Sequence, residues 1–313
     1  MSLPVWILTG PTASGKTDVA LQIAECMGAD IVSADSMLVY RNMDIGTEKP
    51  SRDVMTRIPH HLIDIVEPWE EYNTGRYVRD FEATAQALSK KGRPFIVVGG
   101  TALYLKAIMD GLFEGPSADW EYRNYLKSIA MEQSPDYLYE MLADADPETA
   151  GKLHRNDQKR IIRALEVIKK TGRPLSSLQT QFGFKNAQYD CTVVVINYER
   201  NVLYKRIESR VDKMFMRGLI GEVKSLVDNP RGLSKQASQA LGYKEVIDFF
   251  SGKYTLSETT DIIKKRTRRF AKRQMTWFRS FPHVNWVHVS ETDSIKHISE
   301  NVLKHFIHDK KRG

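Results

Sequence analysis

Short, mostly apolar runs alternate along this chain with longer stretches in which apolar residues recur at helical spacing. The runs are Val5-Trp6-Ile7-Leu8, Ile31-Val32-Ser33-Ala34, Phe95-Ile96-Val97-Val98, Thr192 to Ile196 and Asn285 to Val289. These runs read as strands, and Phe95 to Val98, apolar throughout, reads as one covered on both faces. His60 to Asp64 reads as a further strand-like piece, its adjacent histidines facing opposite sides in a structural role. Asp18 to Met27 places Val19, Ala20, Ile23 and Ala24 on one helix face. Thr74 to Lys90 does the same with Tyr77, Val78, Phe81, Ala85 and Leu88, and Gly92-Arg93-Pro94 closes it. Ala102 to Met109, Asn201 to Asp228 with a break near Gly218 and a restart by Glu222, a helix ending at Phe250, and Ile295 to the C-terminus complete the alternation. Strands alternating with helices predict a parallel sheet with helices on both faces.

Between Gly111 and the strand at Thr192 the pattern changes. Gly115-Pro116-Ser117 reads as a linker, and helix patterns follow at Trp120 to Glu132, Tyr137 to Ala143 and Gln158 to Lys170. The domain reading is an α/β core of residues 1–114 and 187–313, with 115–186 as an all-helical insertion. Lys159, Arg160 and Arg163 share the face of the helix that Gln158 opens, a pattern that taken alone is a solvated basic face.

The chemistry begins at Gly10-Pro11-Thr12-Ala13-Ser14-Gly15-Lys16-Thr17, which matches the phosphate-loop pattern G-x-x-x-x-G-K-[ST] between a strand and a helix. The glycines let successive N–H groups point inward at a helix N-terminus. Lys16 supplies a point charge for terminal phosphates, and the Thr17 hydroxyl is placed to hold Mg²⁺. Asp35 ends the second strand and is expected beside the loop, on the neighbouring strand; a capping role is the alternative. Gly99-Gly100 at another strand end permits close backbone approach to a ligand, with Thr101 capping the next helix or touching substrate.

Composition adds charge to this picture. The 313 residues are 42% apolar and 27% charged, with a net charge of +7 that suits an anionic partner. Lys264 to Arg279 holds eight Lys or Arg and no acid, with Phe270 and Trp277 on one face and Arg266, Arg269 and Arg273 along one flank. A one-sign helix repels itself, so a nearby anion is expected, and nucleic acid fits. Cys26 and Cys191 form no disulfide framework or metal cluster, as in a reducing cytosol. No signal segment, membrane span or internal repeat stands out, so the expected location is the cytoplasm.

Asp35-Ser36-Met37-Leu38 continuing to Thr47, with Lys49-Pro50, joins the phosphate loop, Pro59 to Asp64 and Gly99 to Tyr104. Asn156-Asp157 with Arg160 and Arg163, Gly242-Tyr243, and Ala271 to Gln274 with Thr276-Trp277 extend the set along nearly the whole chain. Together they resemble the tRNA dimethylallyltransferase (tRNA isopentenyltransferase) family, bacterial type, since the zinc finger of eukaryotic relatives is missing. The resemblance implies a P-loop NTPase-like core that moves a dimethylallyl group from dimethylallyl diphosphate to N6 of the adenosine 3′ of the anticodon, with Mg²⁺. It implies Asp35 as general base, Thr101 orienting the amine, and Lys16 and Arg210 on the diphosphate. It also implies tRNA contacts at Asp35 to Leu38, Thr101, Gln158, Lys159, Arg160, Arg163, Gly242, Tyr243, Lys244, Arg269, Arg273 and Trp277, with the helical insertion gripping the anticodon stem-loop and a monomer as the working form. Leu38, where many members have Gln, and Gln239, where several have Arg, depart from the pattern. A phosphate-loop kinase and an adenylate isopentenyltransferase are the rival enzymes, and a non-catalytic RNA binder is the rival from another class.

Overall fold

The structure is a computed structural model that describes residues 2–111, 115–134, 136–178 and 189–308. The chain divides into two compact units, Met1–Met109 with Gln188–Gly313, and Asp110–Ala187. Residue 187, where the sequence suggests that the core resumes, and the last five residues lie outside the described residues, as does residue 114.

The first unit is built on six parallel strands: β1 (Leu3–Thr9), β2 (Asp30–Ser33), β3 (His60–His61), β4 (Phe95–Val98), β5 (Tyr189–Tyr198) and β6 (Val284–Val289). Their order is β3-β2-β4-β1-β5-β6. Alternate residues feed two cores. Val5, Ile7, Val32, Val97, Val193 and Val195 face one side, and Trp6, Leu8, Ile31, Ile96, Val194 and Ile196 the other. Burial on both faces explains why the sequence shows mostly apolar runs. The sheet corrects one expectation. β4 lies between β1 and β2, so Asp35 is two strands from the phosphate loop and not on its neighbour. The crossover through α1 (Lys16–Met27) leaves room for a strand, and β4 fills it.

Around the sheet lie α2 (Arg52–Arg57), α3 (Thr74–Lys90) and α4 (Ala102–Asp110). The second unit holds α5 (Trp120–Glu132), α6 (Tyr137–Ala145), α7 (Pro147–Gly151), α8 (Gln158–Thr171) and α9 (Leu175–Leu178). The first unit then resumes with α10 (Arg200–Met216), α11 (Leu219–Val227), α12 (Tyr243–Phe250), α13 (Leu256–Arg279) and α14 (Ile295–His308). Gly218, at φ +96°, breaks the helix and turns the chain directly into α11, in line with the expected restart by Glu222. α13 begins eight residues before Lys264. Thr255 and Glu258 form a capping box there, the Glu258 carboxylate accepting the Thr255 N–H at 2.8 Å.

The second unit has its own core around Leu126, Leu138, Leu142, Ile161 and Leu165. Asp146 and Glu166 are buried there, and Glu166 accepts from Arg123 at 2.8 Å, from Arg163 at 2.5 Å and from the Asp119 N–H at 2.6 Å. Among the described residues, no helix is long and apolar enough to cross a membrane.

Candidate active site

The strand ends of the first unit open into a cleft of about 370 Å³. Residues from five places in the chain meet there: Thr12, Lys16 and Thr17; Asp35 to Leu38; Gly99 and Thr101; Arg210; and Phe270, Arg273 and Gln274.

The phosphate loop has the backbone its glycines require. Gly15 adopts φ +76° at the N-cap of α1, and Ala13 also lies in the left-handed region at φ +64°. A side chain at Gly10 would meet the Ile196 carbonyl and Ser14 Oγ, both at 2.8 Å. The loop is held from outside as well. Arg206 Nε donates to the Ala13 carbonyl at 2.8 Å, and Arg210 Nη1 donates to Thr12 Oγ1 at 2.7 Å. Among the described residues Ser14 Oγ is a buried hydroxyl without a hydrogen-bond partner.

Gln274 is a motif residue to which sequence reasoning assigns no role, and the structure gives it one. Its side-chain oxygen accepts from the Thr12 N–H at 2.9 Å, and its amide donates to the Gly100 carbonyl at 2.8 Å. One buried residue of α13 thus clamps the phosphate loop to the end of β4. Its place on the buried face of α13, in a helix otherwise rich in cations, is the signal that points to it.

Asp35 and Thr101 are joined through the backbone. Asp35 Oδ1 accepts from the Met37 N–H at 2.9 Å, and Thr101 Oγ1 accepts from the Ser36 N–H at 2.9 Å. Gly99 is needed because a side chain there would run into the backbone of Ala34. The three strand ends are therefore packed backbone on backbone, which brings Asp35 to the loop despite the intervening strand.

Electrostatics in the cleft are tightly balanced. Burial pulls Lys16 down to about 8, partly offset by the charge of Asp35, while Arg210 adds to the lowering and Glu48 opposes it. Arg210 is itself lowered by burial and supported by Glu48 and Asp35. No local pattern marks Glu48 as a cleft residue; its carboxylate pairs with Arg210 at 3.1 Å.

Other expected contacts fall differently. Gly242 and Tyr243 are buried, and Tyr243 donates its hydroxyl to Glu222 at 2.5 Å. Lys244 bonds Gln239 Oε1 at 2.9 Å. Arg163 is committed to Glu166 and to the Pro116 carbonyl, and Arg160 lies 3.4 Å from Asp157, so both have partners inside the second unit. Gln158 and Lys159 are exposed at the start of α8. On α13, Arg269 and Arg273 are exposed, and Arg273 sits 5.8 Å over the Phe270 ring. Trp277 is half-buried against the core, whereas Phe270 is exposed at the cleft, so the two do not share a buried face. Neighbouring helices also neutralise part of the one-sign run. Lys264 pairs with Asp212, Arg266 with Glu245, and Arg268 with Glu208. The anion expected from self-repulsion is thus partly supplied by the protein's own acids. His61 bonds Asp30 at 2.9 Å, a structural contact as its alternation suggests.

With this geometry in place, comparison with known proteins adds relatives. The family model described as IPP transferase matches residues 38–281, and the one described as isopentenyl transferase matches 3–65. The chain is 44% identical over 300 residues to tRNA dimethylallyltransferase 2 of Geotalea uraniireducens (strain Rf4), covering 96% of each. It is 43% identical over 294 residues to the tRNA dimethylallyltransferase of Geobacter sulfurreducens, covering 94% of each. Among solved structures it resembles the full-length tRNA isopentenylpyrophosphate transferase of Bacillus halodurans, with TM-score 0.70, 37% identity and 98% coverage of both chains. A eukaryotic dimethylallyltransferase acting on tRNA matches with TM-score 0.82 and 26% identity, over 98% of this chain and 80% of that one. The phosphate loop, the Asp35–Thr101 pair and the full-length match agree, and the chain belongs to the tRNA dimethylallyltransferase (IPP transferase) family.

Proposed function

We propose that this protein transfers the dimethylallyl group of dimethylallyl diphosphate to N6 of the adenosine 3′ of the anticodon in tRNA, releasing diphosphate. The observation that carries the reading is one cleft holding a phosphate loop with two cations, Lys16 and Arg210, together with a carboxylate and a hydroxyl, Asp35 and Thr101. The cations face charge that grows on the leaving diphosphate as the allylic C–O bond breaks. The N6 lone pair forms the new C–N bond, and Asp35 accepts the N6 proton. Thr101, fixed by the Ser36 N–H, orients the amine, which matters because an aromatic amine is a weak nucleophile. Apolar residues of the same cleft, Val211, Met214 and Ile263, suit a short hydrocarbon chain. The target base leaves the anticodon-loop stack to enter, as chemistry on a base requires.

The donor set fits Mg²⁺. Among the described residues no trio of His, Cys, Asp or Glu could hold a metal by itself. Thr17 lines the cleft at the first turn of α1, and one hydroxyl plus phosphate oxygens and water is how Mg²⁺ is commonly bound. Bound there, the ion would offset diphosphate charge.

The test is label transfer from dimethylallyl diphosphate, with Mg²⁺, to unmodified anticodon stem-loop RNA and separately to AMP. Label on RNA alone is expected. Label on AMP would move the activity to free nucleotides, and ATP turnover without label on either would make the protein a kinase.

A further inference from the structure

The segment from Asp44 to Lys49 is braced from two sides. The Glu222 carboxylate accepts the N–H groups of Asp44, Ile45 and Gly46 at 3.0, 2.7 and 3.2 Å. Lys49, with a side chain 3% exposed, reaches the Tyr40 carbonyl at 2.7 Å, Asp44 at 2.6 Å and Asp64 at 2.5 Å. Gly46 lies against the Tyr243 ring, where a side chain would collide. Between these anchors Glu48 takes φ +54°, and its carboxylate lies on the guanidinium of Arg210. Glu48 and Arg210 both line the cleft with Lys16 and Thr17. A carboxylate in a diphosphate site is unfavourable to the ligand, yet two braces hold this one in place.

We propose that Glu48 is a resident anion that occupies Arg210 in the free enzyme and competes with diphosphate, so that it lowers affinity for donor and product alike and speeds product release. The inference rests on the reading of the phosphate loop as a diphosphate site. Arg210 keeps its bond to Thr12 in either state and exchanges only its anionic partner, Glu48 for a diphosphate oxygen. Without Glu48, Asp35 alone would offset the charges of Lys16 and Arg210, and the pair would hold product longer. Where release limits turnover, the competing carboxylate raises kcat at the cost of a higher KM for the donor.

The test is calorimetric binding of inorganic diphosphate with Mg²⁺ to the full chain and to Glu48→Gln, which keeps shape and removes charge. Tightening by about threefold to tenfold is expected, the range for one partly exposed charge, shrinking as salt is raised. Product inhibition of transfer should strengthen in parallel. Glu48→Asp keeps the charge and should stay within about twofold of the parent, which separates charge from side-chain loss. Unchanged affinity in Glu48→Gln, or weaker binding with a higher Mg²⁺ requirement, would overturn the proposal, the second because Glu48 would then be a metal ligand. Failure of the parent protein to bind diphosphate at all would overturn the reading of the loop, and this inference with it.

Discussion

Lys16 sits in the cleft with its charge held at a cost. Burial lowers it to about 8, so the free enzyme carries most of a full charge there at neutral pH and loses it as pH rises through about 8. Bound diphosphate favours the charged form, so affinity for diphosphate should fall as pH climbs above about 8. Binding measured from pH 7 to 9.5 checks this, and Lys16→Arg, charged throughout, should flatten the profile; an unchanged slope in that variant would assign the titration to another group. At Asp35 the expectation is kinetic. Asp35→Ala should cut turnover by roughly 10²–10⁴ while tRNA affinity changes little, because the carboxylate acts on a proton in flight. Near-normal single-turnover rates would remove Asp35 as the base. Both residues are legible in the sequence, since each ends or follows a short apolar run at a position where a strand delivers side chains to a crevice. Glu48 is not, because its role depends on Arg210, 162 residues further on, and on two braces that no local pattern announces.

At the scale of elements, α13 does two jobs with one composition. Its buried face carries Gln274 to the phosphate loop, and its exposed flank presents Arg269 and Arg273. Replacing Arg269 and Arg273 by Ala should weaken tRNA binding and flatten its salt dependence, by about one unit of slope for each phosphate no longer neutralised. Arg266→Ala should behave otherwise. It leaves the buried Glu245 carboxylate without its ion-pair partner, so a thermal melt should show stability reduced by about 1–3 kcal/mol, with the salt slope little changed. An equal effect of all three on the salt slope would mean that the pairing with Glu245 does not persist in solution. The charge run is visible in the sequence, but its division is not. Spacing along a helix says which residues share a flank; which flank meets the acids of α10 and α12 is set by packing.

In the whole molecule, the α/β unit has a core on each face of its sheet, and the helical unit has a core of its own with the Glu166 carboxylate buried in it. Burial alone would raise Glu166, but hydrogen bonds from Arg123, the Asp119 N–H and Arg163 outweigh it and hold its carboxyl below the usual glutamate range. A carboxylate lowered on folding adds stability that is present above about 4.5 and is lost as pH falls through the folded value. Acid below about pH 4.5 should therefore loosen the helical unit, and Glu166→Ala should destabilise it by about 2–3 kcal/mol, discounted because both arginines are partly exposed. Hydrogen exchange mapped along the chain would read this out; a drop in protection confined to the α/β unit would contradict it.

Order along the chain sufficed for the alternation of strands and helices, the phosphate loop, the helical insertion and the family, because apolar periodicity and glycine placement are local consequences of backbone geometry. Packing alone placed β4 between β1 and β2, buried Tyr243, spent Arg163 on Glu166, and set Gln274 and Glu48 in the cleft. Most of these are meetings of residues far apart in the chain, and a side chain's partner across that distance is fixed by the close approach of backbones such as Gly99 on Ala34, which no spacing in the sequence encodes.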